Sequence, residues 1–330
     1  MRRFFLALWL AASLSVGAAA AEEVIPMGRT VGIRMTSDCV LVTKLTSVET
    51  TEGTVSPAQS AGVREGDLIR KIGGEAIPSN DALQKAVSLS GGQPLILQCE
   101  QEGQTREVTV VPARDRDGVY RIGIIARDSI AGIGTVTYVD PATGDYGSLG
   151  HGICDADTGV LIPLGSGGLM ESSVGGVQRG EAGDPGALQG DFNPAHEVGT
   201  VRENTETGIF GQFTDPAYYD SLETVPVAHA DEISLGEAEI LSNVSGQDVE
   251  RYAVEITKIF DDQDAYGRSM MVRVTDERLL DATGGIVQGM SGSPLLQDGK
   301  LVGAVTHVLV NDPTRGYAVM IDAMMEEMEN

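Results

Sequence analysis

Residues 284–296 read GGIVQGMSGSPLL. A serine hydroxyl set in a tight glycine turn can project as a nucleophile. The glycines around Ser291 let the backbone turn so that the N–H groups of Gly289 and Ser291 converge, and two such donors would hold the oxyanion of a tetrahedral intermediate. A plain Gly-Ser surface turn is the competing reading. The proline at 294, the apolar run 301–310 behind a Gly turn, and a suitable upstream histidine weigh against it. A serine needs a base. The histidines are His151, His196, His229 and His307. His151 lies in YGSLGHGI (146–153), where glycines on both sides suggest close approach by other backbone, and it is the expected general base. His196 and His229 sit in Pro- and Asp-containing loops and are expected to be solvated. His307 follows the serine on a strand and is expected to line a groove or pack. The group that orients the imidazole is open among Asp276 (in VTDER, the first choice), Asp281 and Asp184.

Other chemistries fit less well. Cys154 stands three residues from His151, but nucleophile and base usually come from different segments. No His-Glu-x-x-His or paired-cysteine motif is present, so neither a metal nor another cofactor is expected. Asp261-Asp262-Gln263-Asp264 reads as a solvated hairpin turn ahead of a calcium loop. The Gly-rich stretch 165–176 lacks the Gly-Lys-Ser/Thr ending of a phosphate loop.

These residues must be carried by rigid elements. From residue 120 onward, short apolar runs alternate with Gly, Asp, Pro and Thr turns (IGIIARD, GIGTVTYVD, RYAVEITKIF, SMMVRVTD). That rhythm predicts antiparallel sheet closed as a barrel or sandwich, and residues 119–330 have room for two small barrels. Only the C-terminal tail, 321–328, looks helical in this part. Upstream, residues 30–35 (TVGIRM) and 40–48 read as strands. Ser79 is a predicted N-cap for a helix carrying Leu83, Ala86 and Val87, ended at Gly91-Gly92. Two more strands follow at 95–98 and 106–111. The charged turn 115–118 (DRDG) is the expected boundary between domains 22–114 and 119–330.

Three resemblances build on these motifs. AGVREGDLI (61–69), then Ile72-Gly73-Gly74 and a capped helix, resembles a PDZ domain of the bacterial protease-associated kind. The resemblance implies that a peptide adds as an edge strand, with a Gly turn offering N–H groups to a terminal carboxylate. Val31-Gly32-Ile33 is the expected turn. The Gly-x-Ser-Gly-x-Pro run with its two strands resembles the nucleophile loop of chymotrypsin-like serine peptidases. RDSIAGIGT (127–135), GHG (150–152) and TGGIVQGMSGSP (283–294) together resemble the stage IV sporulation protein B family of serine peptidases. The resemblance implies a mainly β chain: an N-terminal PDZ domain followed by a chymotrypsin-like double β-barrel peptidase domain. It implies a triad of His151, Asp276 and Ser291. It also implies a secreted endopeptidase that works between the two membranes of a developing spore. There it processes itself and cleaves a membrane-bound regulator of an intramembrane metallopeptidase, which leads to late sigma-factor activation. A non-catalytic PDZ adaptor with a degenerate peptidase fold is the alternative; the pairing of His151 with Ser291 argues against it.

The leader fits export. Residues 1–21 carry Arg2 and Arg3, an apolar run and a small-residue stretch, so they read as a signal peptide or an N-terminal membrane anchor. Cys39, Cys99 and Cys154 are too few for a disulfide scaffold; Cys39 and Cys99 could pair, but buried thiols are the expectation. The formal net charge of -25 disfavours nucleic acid as a partner; the family resemblance implies protein and peptide substrates, itself included. The 42 glycines in 330 residues show no Gly-X-Y period and point to β-structure with many turns.

Overall fold

A computed structural model of the chain describes residues 22–260 and 268–328. The leader and the Asp261–264 stretch lie outside the described residues. The strands form two barrels. In the first, Thr30–Leu45, Ile124–Val139, Asp145–Ser148, Gly208–Phe213, Ala187–Thr205 and Ser166–Gln178 pair antiparallel in that order, and the last pairs back onto the first. In the second, Gly236–Ser242, Glu250–Ile259, Met270–Val274, Asp312–Met320, Lys300–Leu309 and Pro294–Gln297 close in the same way. Period-two alternation explains the closure. The Glu250–Ile259 strand buries Tyr252, Val254 and Ile256 and turns the residues between them outward. Each barrel thereby gains its own apolar centre, Val31, Ile33, Val136 and Leu169 in the first and Ile240, Val254, Val272 and Val305 in the second. The fold is thus mainly β, as expected.

The PDZ-like lobe has a third core of Val40, Val42, Ile69, Leu83, Val87 and Leu97. Its helix Asn80–Leu89 starts at the predicted cap, where Ser79 Oγ accepts from the Ala82 N–H at 3.2 Å. Cys39 and Cys99 are both buried free thiols. The lobe is not a separate segment of chain. Two 16-residue strands, Thr30–Leu45 and Ile124–Val139, run through both it and the first barrel. Residues 30–36 pair with barrel strands, while Val40 and Leu41 pair with Ile69 and Leu68 of the lobe. Glu23–Pro26 also pairs with the barrel strand Ile124–Val139. The charged turn 115–118 is a hairpin turn between Ala113–Arg114 and Tyr120–Arg121, with the Asp115 carboxylate accepting from Val119 N–H and Arg121 Nε.

This topology corrects the expected peptide-binding turn. Val31, Gly32 and Ile33 lie inside a barrel strand with both edges paired, to Ile133 and its neighbours on one side and to Leu169–Glu171 on the other. Val31 and Ile33 face the core, and the Phe192 ring covers Gly32, where a Cβ would come within 2.3 Å of it. No edge is left there for an added strand.

Candidate active site

The nucleophile turn belongs to the second barrel and is wedged against the first. Gly289 (φ +97°) and Gly292 (φ +94°) flank Ser291 in left-handed backbone that favours glycine. A Cβ on Gly292 would lie 2.0 Å from the Thr135 carbonyl oxygen. The first barrel grips the turn by its carbonyls. Thr135 Oγ1 donates to Gly289 O at 2.8 Å, Thr135 N–H to Ser291 O at 3.0 Å, and Thr137 Oγ1 to Gly292 O at 2.9 Å. Among the described residues, neither the Gly289 N–H nor the Ser291 N–H donates within the chain, and both residues line a cleft of about 450 Å³. Two unspent donors beside a serine are the arrangement an oxyanion requires.

His151 comes from the first barrel. Its turn is held by Leu149 (φ +71°) and Gly150 (φ +69°). A Cβ on Gly150 would press on Thr306 and Val319 of the second barrel, and one on Gly152 would lie 2.4 Å from Thr205 O. The flanking glycines therefore do admit close neighbours. His151 Nδ1 hydrogen-bonds the Gly152 carbonyl at 2.8 Å. A carbonyl only accepts, so Nδ1 carries the proton and Nε2 is the basic nitrogen. Burial pulls the imidazole below its ordinary value, opposed by that carbonyl. His151 and Ser291 line the same cleft. In this state the Ser291 hydroxyl donates to Thr306 O at 2.6 Å, so attack requires it to turn toward the imidazole. His307 lines the cleft too, its ring 4.7 Å from that of His151.

Asp276 is not brought to His151. It is the N-cap of helix Glu277–Thr283. Its Oδ1 accepts from Arg278 N–H and Nε, and its Oδ2 from Ala253 N–H and Arg278 Nη2. The Arg278 side chain, followed by those backbone N–H groups, holds this carboxyl down at about 2. The VTDER pattern that nominated it is also a helix-start signature, and the helix cap, the Arg278 guanidinium and the Ala253 N–H of the neighbouring strand take up its oxygens. Asp281 is exposed on the same helix. Asp184 accepts from Gln178 Nε2 and Gly186 N–H within its own turn. The imidazole is oriented instead by a backbone carbonyl, which no side-chain pattern can announce. His196 pairs with Glu171, and His229 caps the short turn Ala230–Glu232. Cys154 is exposed at the cleft, its thiol pushed up by partial burial and then by Glu206.

A second groove, of about 520 Å³, lies between helix Asn80–Leu89 and the segment 119–126. Leu83 and Val87 face Ile122-Gly123-Ile124 across it. Gly123 has φ +78°, and its carbonyl accepts from Thr46 N–H. This Gly turn, and not the one at Gly32, opens onto a groove.

The family model of SpoIVB peptidase S55 matches residues 118–325, and that of the Tricorn protease PDZ domain matches residues 29–115. A Clostridium perfringens protein bearing the name zinc metalloprotease is 33% identical over 69 residues, 21% of each chain. One of Treponema pallidum with the same name is 39% identical over 70 residues, covering 21% of this chain and 16% of its own. The chain spans about a fifth of the length of these curated relatives. The solved PDZ domain of the SdrC-like protein from Listeria monocytogenes is 25% identical (28% of this chain, 90% of its own, TM-score 0.23). The active form of Rv3671c protease from M. tuberculosis is 15% identical (60% of this chain, 74% of its own, TM-score 0.36).

Proposed function

The chain belongs to the SpoIVB peptidase S55 family, and from that premise we propose that it is a serine endopeptidase with Ser291 as nucleophile and His151 as general base. The observation that carries this reading is the meeting of Ser291 and His151, from different barrels, in one cleft beside the uncommitted N–H groups of Gly289 and Ser291. Ser291 Oγ attacks the peptide carbonyl carbon while its proton passes to His151 Nε2. The oxyanion is held by the two N–H groups. The intermediate collapses as His151 gives that proton to the leaving amine. Water then adds to the acyl carbon, losing a proton to His151, and His151 returns that proton to Ser291 Oγ as the acid leaves. The Gly152 carbonyl keeps Nδ1 protonated throughout and favours the transient imidazolium through its dipole.

In the finer reading, the peptidase acts outside the cytoplasm, between the two membranes of a developing spore. It trims its own N-terminal region and cleaves a membrane-bound regulator of an intramembrane metallopeptidase, so that a late sigma factor becomes active. The family and the leader-like residues 1–21 support this reading. A PDZ-type groove at Ile122-Gly123-Ile124 supports capture of a peptide as an added strand. The decisive test is labelling of purified protein by a fluorophosphonate, beside a Ser291→Ala variant. Labelling of wild type alone is expected. Equal labelling of both, or none of wild type, would remove Ser291 from its role, and the second result would favour a non-catalytic adaptor.

A further inference from the structure

The cleft also constrains which peptide bond is cut. Ser291 Oγ and the Gly289 and Ser291 N–H groups fix the carbonyl under attack. Its nitrogen must face His151, which protonates it. The side chain of the residue that supplies the carbonyl is therefore directed away from His151, toward the walls built by the second barrel and by the turn between strands Ser166–Gln178 and Ala187–Thr205. Those walls are Ile286, Val287, Val308, Val310 and Pro185. They are rigidly tied: Ile286 N–H donates to Pro313 O at 2.8 Å, Gly183 N–H to Val310 O at 2.8 Å, and Leu188 N–H to Gln288 O at 2.8 Å. Ile286 is also packed onto Gly316, where a Cβ would come within 2.6 Å of Ile286 Cδ1 and displace it.

Among the described residues that line the cleft, none is Asp, Glu, Lys or Arg. The turn carries two carboxylates, Glu181 and Asp184, and neither lines the cleft; Asp184 is engaged with Gln178 and Gly186. A basic side chain entering here would be desolvated with no carboxylate to pair it, and an acidic one would meet only the imidazoles of His151 and His307, whereas an aliphatic one would exchange water for apolar wall. We infer that this peptidase cuts after aliphatic residues, Val, Ile or Leu, and discriminates against acidic and basic ones at that position. The inference rests on the peptidase reading above.

The test is a series of peptidyl diphenyl phosphonates that differ only in the residue occupying this pocket: Val, Leu, Lys and Glu. Each reacts with Ser291 at a rate set by that side chain. The Val and Leu reagents are expected to react at least about 100-fold faster than Lys and Glu, the scale on which an apolar pocket discriminates. Val310 is half exposed at the rim, so Val310→Asp should be tolerated in the fold. It is expected to raise the Lys rate relative to Leu by about 10-fold or more. Comparable or faster reaction of the Lys or Glu reagents with wild type would overturn the inference. So would a Val310→Asp variant with an unchanged Lys-to-Leu ratio, or fluorophosphonate labelling without reaction of the Val and Leu reagents. Failure of every reagent, fluorophosphonate included, would instead take down the peptidase reading itself.

Discussion

Replacing Asp276 by Asn separates two roles that predict very different numbers. As the acid of a triad, Asp276 would hold the imidazole in its tautomer and offset its charge, and Asn there would lower kcat by about 10⁴-fold. As the cap of helix Glu277–Thr283, it accepts from the Arg278 N–H at 3.0 Å and from Ala253 N–H at 3.2 Å, and its only charged partner among the described residues is Arg278, itself largely exposed. Asn is as good a cap as Asp. The ion pair is open to solvent on its Arg278 side, with that side chain 61% exposed against 13% for Asp276, and contributes about 1 kcal/mol. Asp276→Asn should therefore leave kcat within about 10-fold of wild type and lower stability by about 1 kcal/mol or less. Asp276→Ala should cost about 0.5–2 kcal/mol through the lost cap while the folded fraction stays active. The assay is peptide hydrolysis per fluorophosphonate-titrated site, well below the melting temperature, beside thermal unfolding of each variant. A fall of 10³-fold or more in kcat for Asp276→Asn, with unfolding temperature unchanged, would refute the carbonyl-oriented imidazole and restore Asp276 to the triad.

Two further outcomes follow from the site. Burial lowers the His151 pKa, and the base must be neutral, so kcat/KM should rise with pH through a midpoint below about 6.5 and level off by neutrality. A midpoint above that value would contradict the burial. The linkage has the same sign: the unfolded chain binds this proton more readily, so the contribution of neutral His151 to stability is lost as pH falls from its unfolded value toward its lower folded one. Gly292→Ala puts a Cβ 2.0 Å from Thr135 O at φ +94°, and should destabilise the protein by about 1–3 kcal/mol and displace the nucleophile turn. Chemical denaturation and labelling rate together would detect it, and wild-type values for both would show the barrels to be less tightly apposed there.

The sequence announces Ser291 and His151 because the backbone around them needs glycine, and glycine is visible as a letter. Gly289, Gly292, Gly150 and Gly152 each sit where a Cβ would crowd a neighbour. The imidazole's partner is invisible for the opposite reason: every residue has a carbonyl, so the one at Gly152 leaves no mark. Asp276 misleads because one local pattern serves capping and catalysis alike. Val31-Gly32-Ile33 and Ile122-Gly123-Ile124 are nearly the same string. Only the pairing of both edges of the first, and the open flank of the second beside helix Asn80–Leu89, tell them apart. Reading domains as contiguous stretches hides this, since the groove's second wall follows the expected boundary at 115–118. The barrels themselves were legible from strand length and turn spacing.

The strand Thr30–Leu45 sets a limit on maturation. It is a stave of the first barrel, paired on both sides from Val31 to Thr36. A cut ahead of Glu23 leaves every described stave in place, whereas a cut past Met35 opens the barrel whose turn presents His151. N-terminal trimming that preserves activity must therefore stop short of Thr30. By the same topology the lobe with the peptide groove is an insert between two staves. Shortening the chain from its front therefore reaches a barrel stave before it reaches the lobe.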